Sequence, residues 1–199
     1  MKPFAESSEQ NKHAILAVLQ QEFARVQSVL EIGSGTGQHA VFFAAQFPHL
    51  HWHASDVAEN LSGISQWLSE YPGTNLLGPY PLDVTQPNWP VSQVDAVFSA
   101  NTAHIMHWPA VQAMFAGIGR TLHAGGRFCL YGPFNYHGAY TSDSNARFDD
   151  WLKARDPQSG VRDIDDLAKL ADAAGLQLMQ DHAMPANNRT LVWEKTASA

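Results

Sequence analysis

Val29-Leu30-Glu31-Ile32-Gly33-Ser34-Gly35-Thr36-Gly37 decides how the rest of this chain is read. Apolar residues and one acid run into three glycines at alternate positions, and Gln38-His39-Ala40-Val41-Phe42-Phe43-Ala44 then reads as a helix start. A buried strand that turns through glycines into a helix lets backbone come close to a nucleotide-like ligand, because glycine takes a positive φ and has no Cβ in the way. The spacing is Gly-x-Gly-x-Gly. A dinucleotide-binding turn has glycine or alanine where Gln38 stands, so the residues point to a different nucleotide-like ligand.

At 199 residues the chain has a length that one domain commonly fills, so residues 1–199 are expected to form a single domain. Apolar residues make up 45% of it, enough for a real core. Net charge is −7 and no stretch concentrates Lys and Arg. That argues against nucleic acid as a partner, because phosphate contacts supply most of the affinity in such complexes. No apolar run approaches the roughly 18 residues that cross a bilayer, so no membrane partner is expected either. Residues 1–9 lack the apolar centre of a secretory signal. The one cysteine, Cys129, lies in the apolar run Arg127–Tyr131, where a buried core thiol is the ordinary outcome. These features fit a reducing cytoplasm. A small molecule or a protein side chain is left as the expected substrate.

Strand-like apolar runs alternate with helix-like stretches, the pattern of a parallel sheet with helices on both faces. Ile15, Leu16, Leu19 and Phe23 recur at helical spacing and predict a helix over Lys12–Arg25. Strands are predicted at Ser28–Ile32 and His51–Ser55, then as a short third strand ending near Leu82-Asp83-Val84, and at Val94–Ser99 and Arg127–Tyr131. Helices are predicted at Leu61–Tyr71, stopped by Pro72-Gly73, and at Val111–Leu122, closed by Gly125-Gly126. Gly138–Arg162 is polar and broken, with a short helix at Asn145–Ala154. It exceeds the usual connection of about 2–6 residues, which marks it as a lid. Asp163 caps a helix running to Gly175, and Leu176–Met184 pairs with Arg189–Glu194 as an antiparallel hairpin. The expected fold is α/β and doubly wound, a mostly parallel sheet with a C-terminal antiparallel hairpin.

Asp56 ends the second predicted strand, 19 residues beyond Gly37, close to the offset of a ribose-binding acid. A carboxylate there can accept from both ribose hydroxyls, and its charge favours a cationic ligand over one with two phosphates. With Glu31 two residues before the first glycine, this order of elements resembles the class I methyltransferases, a Rossmann-like fold that binds S-adenosylmethionine (SAM). The resemblance implies cofactor contacts by Glu31, Gly33, Ser34, Gly35, Gly37, Asp56 and Val57, adenine contacts by Asp83 and Val84, and Asn101 facing the methionine part. The phrases Ser34–Val41, Phe98–Asn101, Leu130–Phe134, Thr141–Ala146 and Met184–Asn188 resemble, more narrowly, a family of predicted SAM-dependent methyltransferases that includes the vertebrate methyltransferase-like 26 proteins. That similarity runs from Asn11-Lys12 to Leu191-Val192-Trp193, with Gln10 where arginine is expected. It implies a methyltransferase, with Asn11 and Lys12 toward the substrate.

Methyl transfer from a sulfonium is an in-line displacement, so positioning does much of the work, up to about 7–11 kcal/mol. A base that takes the acceptor's proton adds roughly 10²–10⁴-fold. His104 follows the fourth strand on the edge where ligands of open α/β sheets bind, and is the first candidate. Tyr136 and His137 follow the fifth strand and come second. His104 reads equally as a helix-start histidine satisfied by a backbone carbonyl. If Leu176–Met184 runs parallel to the other strands, the turn holding Asn187, Asn188 and Arg189 hangs over the same edge as substrate contacts; asparagines are also ordinary turn residues. Arg155, Arg162 and Arg189 could hold a carboxylate or phosphate, or pair with Asp149, Asp156 or Asp163. His49, His51 and His53 share a strand face but lack a cysteine or carboxylate at ligand spacing, so no metal is expected. The expectation is SAM-dependent methyl transfer to a small molecule. A SAM-binding sensor or partner without transferase activity is the alternative, and Gln38 disfavours a nicotinamide-dependent dehydrogenase.

Overall fold

The computed structural model describes residues 2–197. Helix α1 (Glu6–Glu22) leads into β1 (Ser28–Ile32), α2 (Gln38–Gln46), β2 (His51–Asp56), α3 (Leu61–Leu68) and β3 (Leu76–Pro81). The second half runs through β4 (Val94–Ala100), α4 (Trp108–Thr121), β5 (Leu122–Gly132), β6 (Phe134–Asn135), α5 (Asp143–Arg155), β7 (Arg162–Asp163), α6 (Ile164–Ala173), β8 (Leu176–Met184) and β9 (Asn188–Lys195). Seven strands form one sheet in the order β3-β2-β1-β4-β5-β9-β8. Strands β1 to β5 are parallel, whereas β9 is antiparallel to both β5 and β8. β8 therefore runs with the parallel strands, and its C-terminal end lies on their C-terminal edge.

Both faces of this sheet are buried, which is why its strands read as nearly continuous apolar runs. Alternate residues go to opposite sides. Leu30, Val97, Phe128 and Trp193 pack with α4 and α6, while Val29, Phe98 and Trp52 pack with α1 and α2. Phe128 stacks on Trp193 at 5.2 Å with Phe115 edge-on, and Phe43 stands edge-on to Phe98 at 5.4 Å.

Several boundaries differ from the sequence expectation, each for a physical reason. α1 begins at Glu6 rather than Lys12, because Glu6 and Glu9 complement the positive end of the helix without adding to the apolar stripe. β3 is Leu76–Pro81, ending one residue before Leu82; it is an edge strand, where Pro79 and Pro81 are tolerated although they read as turn residues. α4 begins at Trp108-Pro109 rather than at Val111, since proline suits a first helical turn. β5 runs back through Gly125-Gly126 to Leu122. α5 starts at Asp143, capped by Ser142 Oγ, which accepts from Asn145 N–H at 3.1 Å.

α2 is fixed at its far end by Asn75, whose amide nitrogen donates to the carbonyls of Ala44, Phe47 and Leu50 at 3.0, 3.1 and 3.0 Å. Its side-chain oxygen accepts from Tyr71 Oη at 2.7 Å. Asn75→Ala strips a donor from carbonyls at the helix end, so it is expected to lower unfolding free energy by about 1–3 kcal/mol in urea titration. An unchanged midpoint would remove Asn75 from this role.

Candidate functional site

Two cavities open on the C-terminal edge of the parallel strands, where the strand order reverses between β1 and β4. The first, about 550 Å³, is a cleft walled by the glycine turn, by Asp56, Val57 and Asn60 after β2, and by Asn101, Thr102, Ile105 and Met106 after β4. Pro3, Ala5, Ser7 and Ser8 close its remaining side. Val57 and Ile105, 42% and 57% exposed, are large apolar groups on this wall with nothing packed over them.

The glycine turn has little slack. A Cβ on Gly33 would come within 2.5 Å of Thr102 Cγ2, and Gly33 needs φ of +75°. A Cβ on Gly35 would meet nothing within 4 Å; Gly35 leaves space in the cleft rather than relieving a clash. Four of the turn's five amides, those of Gly33, Ser34, Gly35 and Gly37, are already engaged. Gly33 and Ser34 N–H donate to Ser55 O at 3.1 and 2.9 Å, and Gly37 N–H to Ser34 O at 2.8 Å. Gly35 N–H donates to Asp56 Oδ2 at 2.7 Å. The other oxygen, Oδ1, accepts from Val57 N–H at 2.7 Å and from Asn60 Nδ2 at 2.9 Å, which locks the carboxylate at the strand end.

Charge in the cleft is one-sided. Asp56 is its carboxylate, and among the described residues no Lys or Arg lines it. His39, the remaining titratable group of the wall, is pushed down to about 4 by burial and stays neutral at pH 7. A turn with occupied amides and a carboxylate without a cation does not suit a diphosphate, which calls for free N–H groups and positive charge. It suits a ribose beside a cationic group, as in SAM.

Gln38, where a dinucleotide turn has its last glycine, turns out to be a fastener. Its Oε1 accepts from Ala5 N–H at 2.6 Å and from Thr36 Oγ1 at 2.9 Å, while its Nε2 donates to Glu9 Oε1 at 2.8 Å. His39 Nε2 pairs with Asn11 Oδ1 at 2.7 Å, and Trp67 Nε1 donates to Pro3 O at 2.7 Å. The N-terminal segment is thereby strapped across the glycine turn. Nothing in the sequence announced this, since Pro3, Ala5, Ser7 and Ser8 lie ahead of the apolar period of α1.

The second cavity, about 440 Å³, adjoins the first, and Asn101 and Ser7 line both. Asn101 adopts a left-handed backbone with φ of 58°, and its N–H donates to Tyr131 O at 2.9 Å. A non-glycine residue in that region costs energy and is concentrated at functional sites. Tyr131 and Pro133 form the floor from the β5 end, Ser144, Asn145 and Phe148 of α5 form one wall, and Pro185–Asn188 form the other. Asn145 Nδ2 donates to Asn187 O at 3.1 Å and Asn187 Nδ2 to Ser144 Oγ at 3.2 Å, so α5 and the hairpin turn are joined over the opening.

Of the residues singled out from the sequence, Gly33, Ser34, Gly35, Asp56, Val57 and Asn101 line the cleft, and Asn11, Asn101, Asn187 and Asn188 line the second cavity. Gly37 turns the chain into α2 at φ of +93°, against Ile64 and Trp67. Glu31 lies behind the turn: it is buried, accepts from Ser34 Oγ and Trp52 Nε1 at 2.9 Å each, and is pushed up to about 7 by loss of water. Asp83 and Val84 line neither cavity. Asp83 is exposed and accepts from Thr85 N–H and Oγ1 at 2.9 and 2.7 Å in its own turn, and Val84 belongs to the core. Lys12 is ion-paired with Glu9 over the Phe42 ring and also lines neither.

Tyr136 lines neither cavity. Its hydroxyl donates to Asp181 Oδ2 at 2.7 Å, and burial together with that carboxylate raises its pKa further. Arg189 completes this group through Asp181 Oδ1 at 2.7 Å. His137 is exposed and pairs with Asp165 at 2.8 Å. His104 is 6% exposed, held edge-on to Phe148 at 5.3 Å, and pushed down to about 4, first by burial and then by Arg162. Phe148 lines the second cavity and the His104 ring does not. Arg162 is committed to the carbonyls of Ala103, Met106 and Gln158, and Arg155 lies over Trp151 at 4.6 Å, so the three arginines hold the protein rather than a ligand. No group of three His, Cys, Asp or Glu able to hold a metal occurs among the described residues. The residues the sequence did not reveal are Asn60, Tyr131, Ser144, Asn145 and Phe148, which only the folded chain brings to the edge.

The family described as Protein of unknown function (DUF938) matches residues 2–195, and the chain belongs to it. Its fold is that of the class I methyltransferases. It is similar to the S-adenosylmethionine-dependent methyltransferase SibL, solved in its apo form, with a TM-score of 0.80 at 20% identity over 96% of this chain and 56% of that one. Human N-acetylserotonin methyltransferase in complex with SAM gives 0.79 at 15% identity over 96% and 53%. An O-methyltransferase family protein from Burkholderia thailandensis gives 0.82 at 13% over 94% and 57%. The chain spans about half the length of these proteins, and the likeness is one of fold.

Glu31 generates a pH prediction. Between its ordinary value of 4.5 and about 7 the folded state keeps a proton that the unfolded chain has released, so stability falls as pH rises through that window. The drop is roughly 2–4 kcal/mol at about 1.36 kcal/mol per pH unit. His39 and His104 act in the opposite direction, with stability gained as pH rises from about 4 toward 6.5. Urea unfolding of wild type and Glu31→Gln at about pH 5 and pH 8 separates the two. The wild type is expected to lose roughly 2–4 kcal/mol relative to the variant; parallel curves would show that Glu31 ionises as an ordinary carboxyl.

Proposed function

We propose that this chain is a SAM-dependent methyltransferase acting on a small molecule. The observation that carries this is the pair of adjoining cavities meeting at Asn101: one negatively charged and flanked by a glycine turn, the other closed over by α5 and the hairpin turn. Asp56 holds the ribose, the Gly33–Gly37 turn passes close beneath the amino-acid part, and Val57 and Ile105 cover the adenine. Glu31 supports Ser34 from behind. Asp83 and Val84 remain an adenine-side contact in this reading only if the exposed turn at Asp83 folds inward. The bound cofactor supplies a methyl group on a sulfonium, its carbon–sulfur bond breaking onto sulfur as the acceptor lone pair bonds to carbon. A hydroxyl acceptor releases its proton to water. Asn11, Asn187 and Asn188 contact that acceptor, and residues 138–162 act as its lid.

This reading extends to the resemblance with the methyltransferase-like 26 proteins, to one domain over residues 1–199 (of which Met1, Ser198 and Ala199 lie outside the described residues), and to a cytoplasmic location. No described helix is long and apolar enough to cross a membrane. A net charge of −7 disfavours nucleic acid. The second cavity disfavours a sensor without transferase activity, which needs no acceptor site.

Isothermal titration is expected to give SAM and S-adenosylhomocysteine binding that Asp56→Asn weakens by about tenfold or more, one hydrogen-bonded charge being worth roughly 1.5–3 kcal/mol. Absence of binding by the wild type would end the proposal.

Catalysis here rests on positioning more than on a base. His104→Gln is accordingly expected to lower kcat by less than about tenfold, short of the roughly 10²–10⁴ that loss of a general base costs. Tyr136→Phe is expected to leave kcat unchanged while lowering unfolding free energy by about 1–3 kcal/mol. A large kcat loss in either variant would restore that residue as a proton acceptor.

A further inference from the structure

We infer, on the basis of the methyltransferase proposal, that the second cavity takes an acceptor uncharged at neutral pH: a hydroxyl-bearing or heterocyclic small molecule with an apolar body and hydrogen-bonding edges. The composition of the wall carries this. Among its residues are Asn11, Asn101, Asn145, Asn187 and Asn188, with Gln10 beside them, and there is no Lys, Arg, His, Asp or Glu. Tyr131 is its titratable group, and burial pushes that phenol up, so it is neutral as well. The rest of the surface is ring and aliphatic carbon from Pro133, Phe148, Pro185 and Ala186.

Four charged groups on the flanking elements are engaged within the protein. Arg189 is held by Asp181 at 2.7 Å and Lys12 by Glu9. Asp149, nearly fully buried on α5, takes Lys153 Nζ at 2.6 Å, Tyr140 Oη at 2.5 Å and Val161 N–H at 2.7 Å. Arg162 is turned onto backbone carbonyls. A carboxylate, phosphate or ammonium entering here would lose its hydration with no opposite charge in the wall to replace it. Side-chain amides both donate and accept, so a ring of them matches the edges of a neutral polar molecule. A volume of about 440 Å³ lies in the range of small-molecule sites.

The test divides an ultrafiltered cell extract by ion exchange at neutral pH into anionic, cationic and unretained fractions and supplies each with methyl-labelled SAM and the full-length protein. Label is expected in the unretained fraction. Asn188→Asp, which puts a carboxylate in the wall, is expected to cut that transfer by about tenfold or more while leaving calorimetric SAM affinity unchanged. Label in a charged fraction instead, or in none while SAM still binds, overturns the inference and leaves the cofactor assignment standing. If SAM does not bind, the methyltransferase proposal itself fails, and the same three fractions are passed over the immobilised protein. Retention from the unretained fraction that Asn188→Asp abolishes then supports a neutral-ligand cavity; retention from a charged fraction, or none, overturns it.

Discussion

The carboxylate of Asp56 holds the glycine turn by its backbone, and the shape of the whole site depends on that contact. At 2.7 Å from Gly35 N–H, it fixes the turn at a residue that has no side chain of its own to anchor it. The same carboxylate is held from the other side by Val57 N–H and Asn60, so it cannot swing away to meet a ligand. A charge-assisted bond of this kind is roughly twice as strong as a neutral one. Its price is selectivity: with four of the turn's five amides engaged, phosphate finds few donors to replace water, and the negative potential at the strand end repels it. One contact therefore sets both the geometry of the turn and the sign of charge it tolerates.

Behind the turn, Glu31 reaches Ser34 and Trp52 from a buried position, and Ser34 Oγ in turn accepts from Ser55 N–H at 3.1 Å. In front of it, Gln38 ties down Ala5 and Glu9. The turn is thus clamped between a buried acid and an N-terminal strap. Such support suits a loop built from residues with high backbone freedom, because the order they lack must come from neighbours. The strap also explains why α1 extends to Glu6: its first turn belongs to the wall of the cleft rather than to the core.

The fold was legible because its signal is periodic. β1, β4 and β5 bury both faces, so their apolar runs stand out, and Leu176–Met184 with Arg189–Glu194 separated cleanly at Pro185–Asn188. β3 was readable only at its end, because an edge strand is under weaker demand for apolar residues and admits proline. In the site, strand-end residues such as Asp56 and Asn101 were readable from their position alone. Tyr136 and the arginines were not, because which acid a base meets depends on register. Asp181 faces Arg189 only once β8 and β9 have paired, with Asp181 opposite Leu191. Gln38 was read for the glycine it replaces, while its actual role required knowing where Ala5 and Glu9 lie.

That register also separates the two cavities by charge. Pairing β8 with β9 sets Arg189, Asp181 and Tyr136 into one closed group beside the hairpin turn, and leaves the turn itself to Asn187 and Asn188. A chain with 19 acidic and 12 basic side chains could have charged this opening in many ways. Instead Asp56 is the carboxylate left facing a ligand, on the cofactor side of Asn101, and amides face the other side. Methyl transfer removes the positive charge that Asp56 would balance and adds none to a neutral acceptor that sheds its proton. In the proposed reaction the spent cofactor alone would lose attraction to the site, and the neutral acceptor would keep its charge. Asn101, strained at φ of 58°, is the residue at which the charged and the uncharged lining meet.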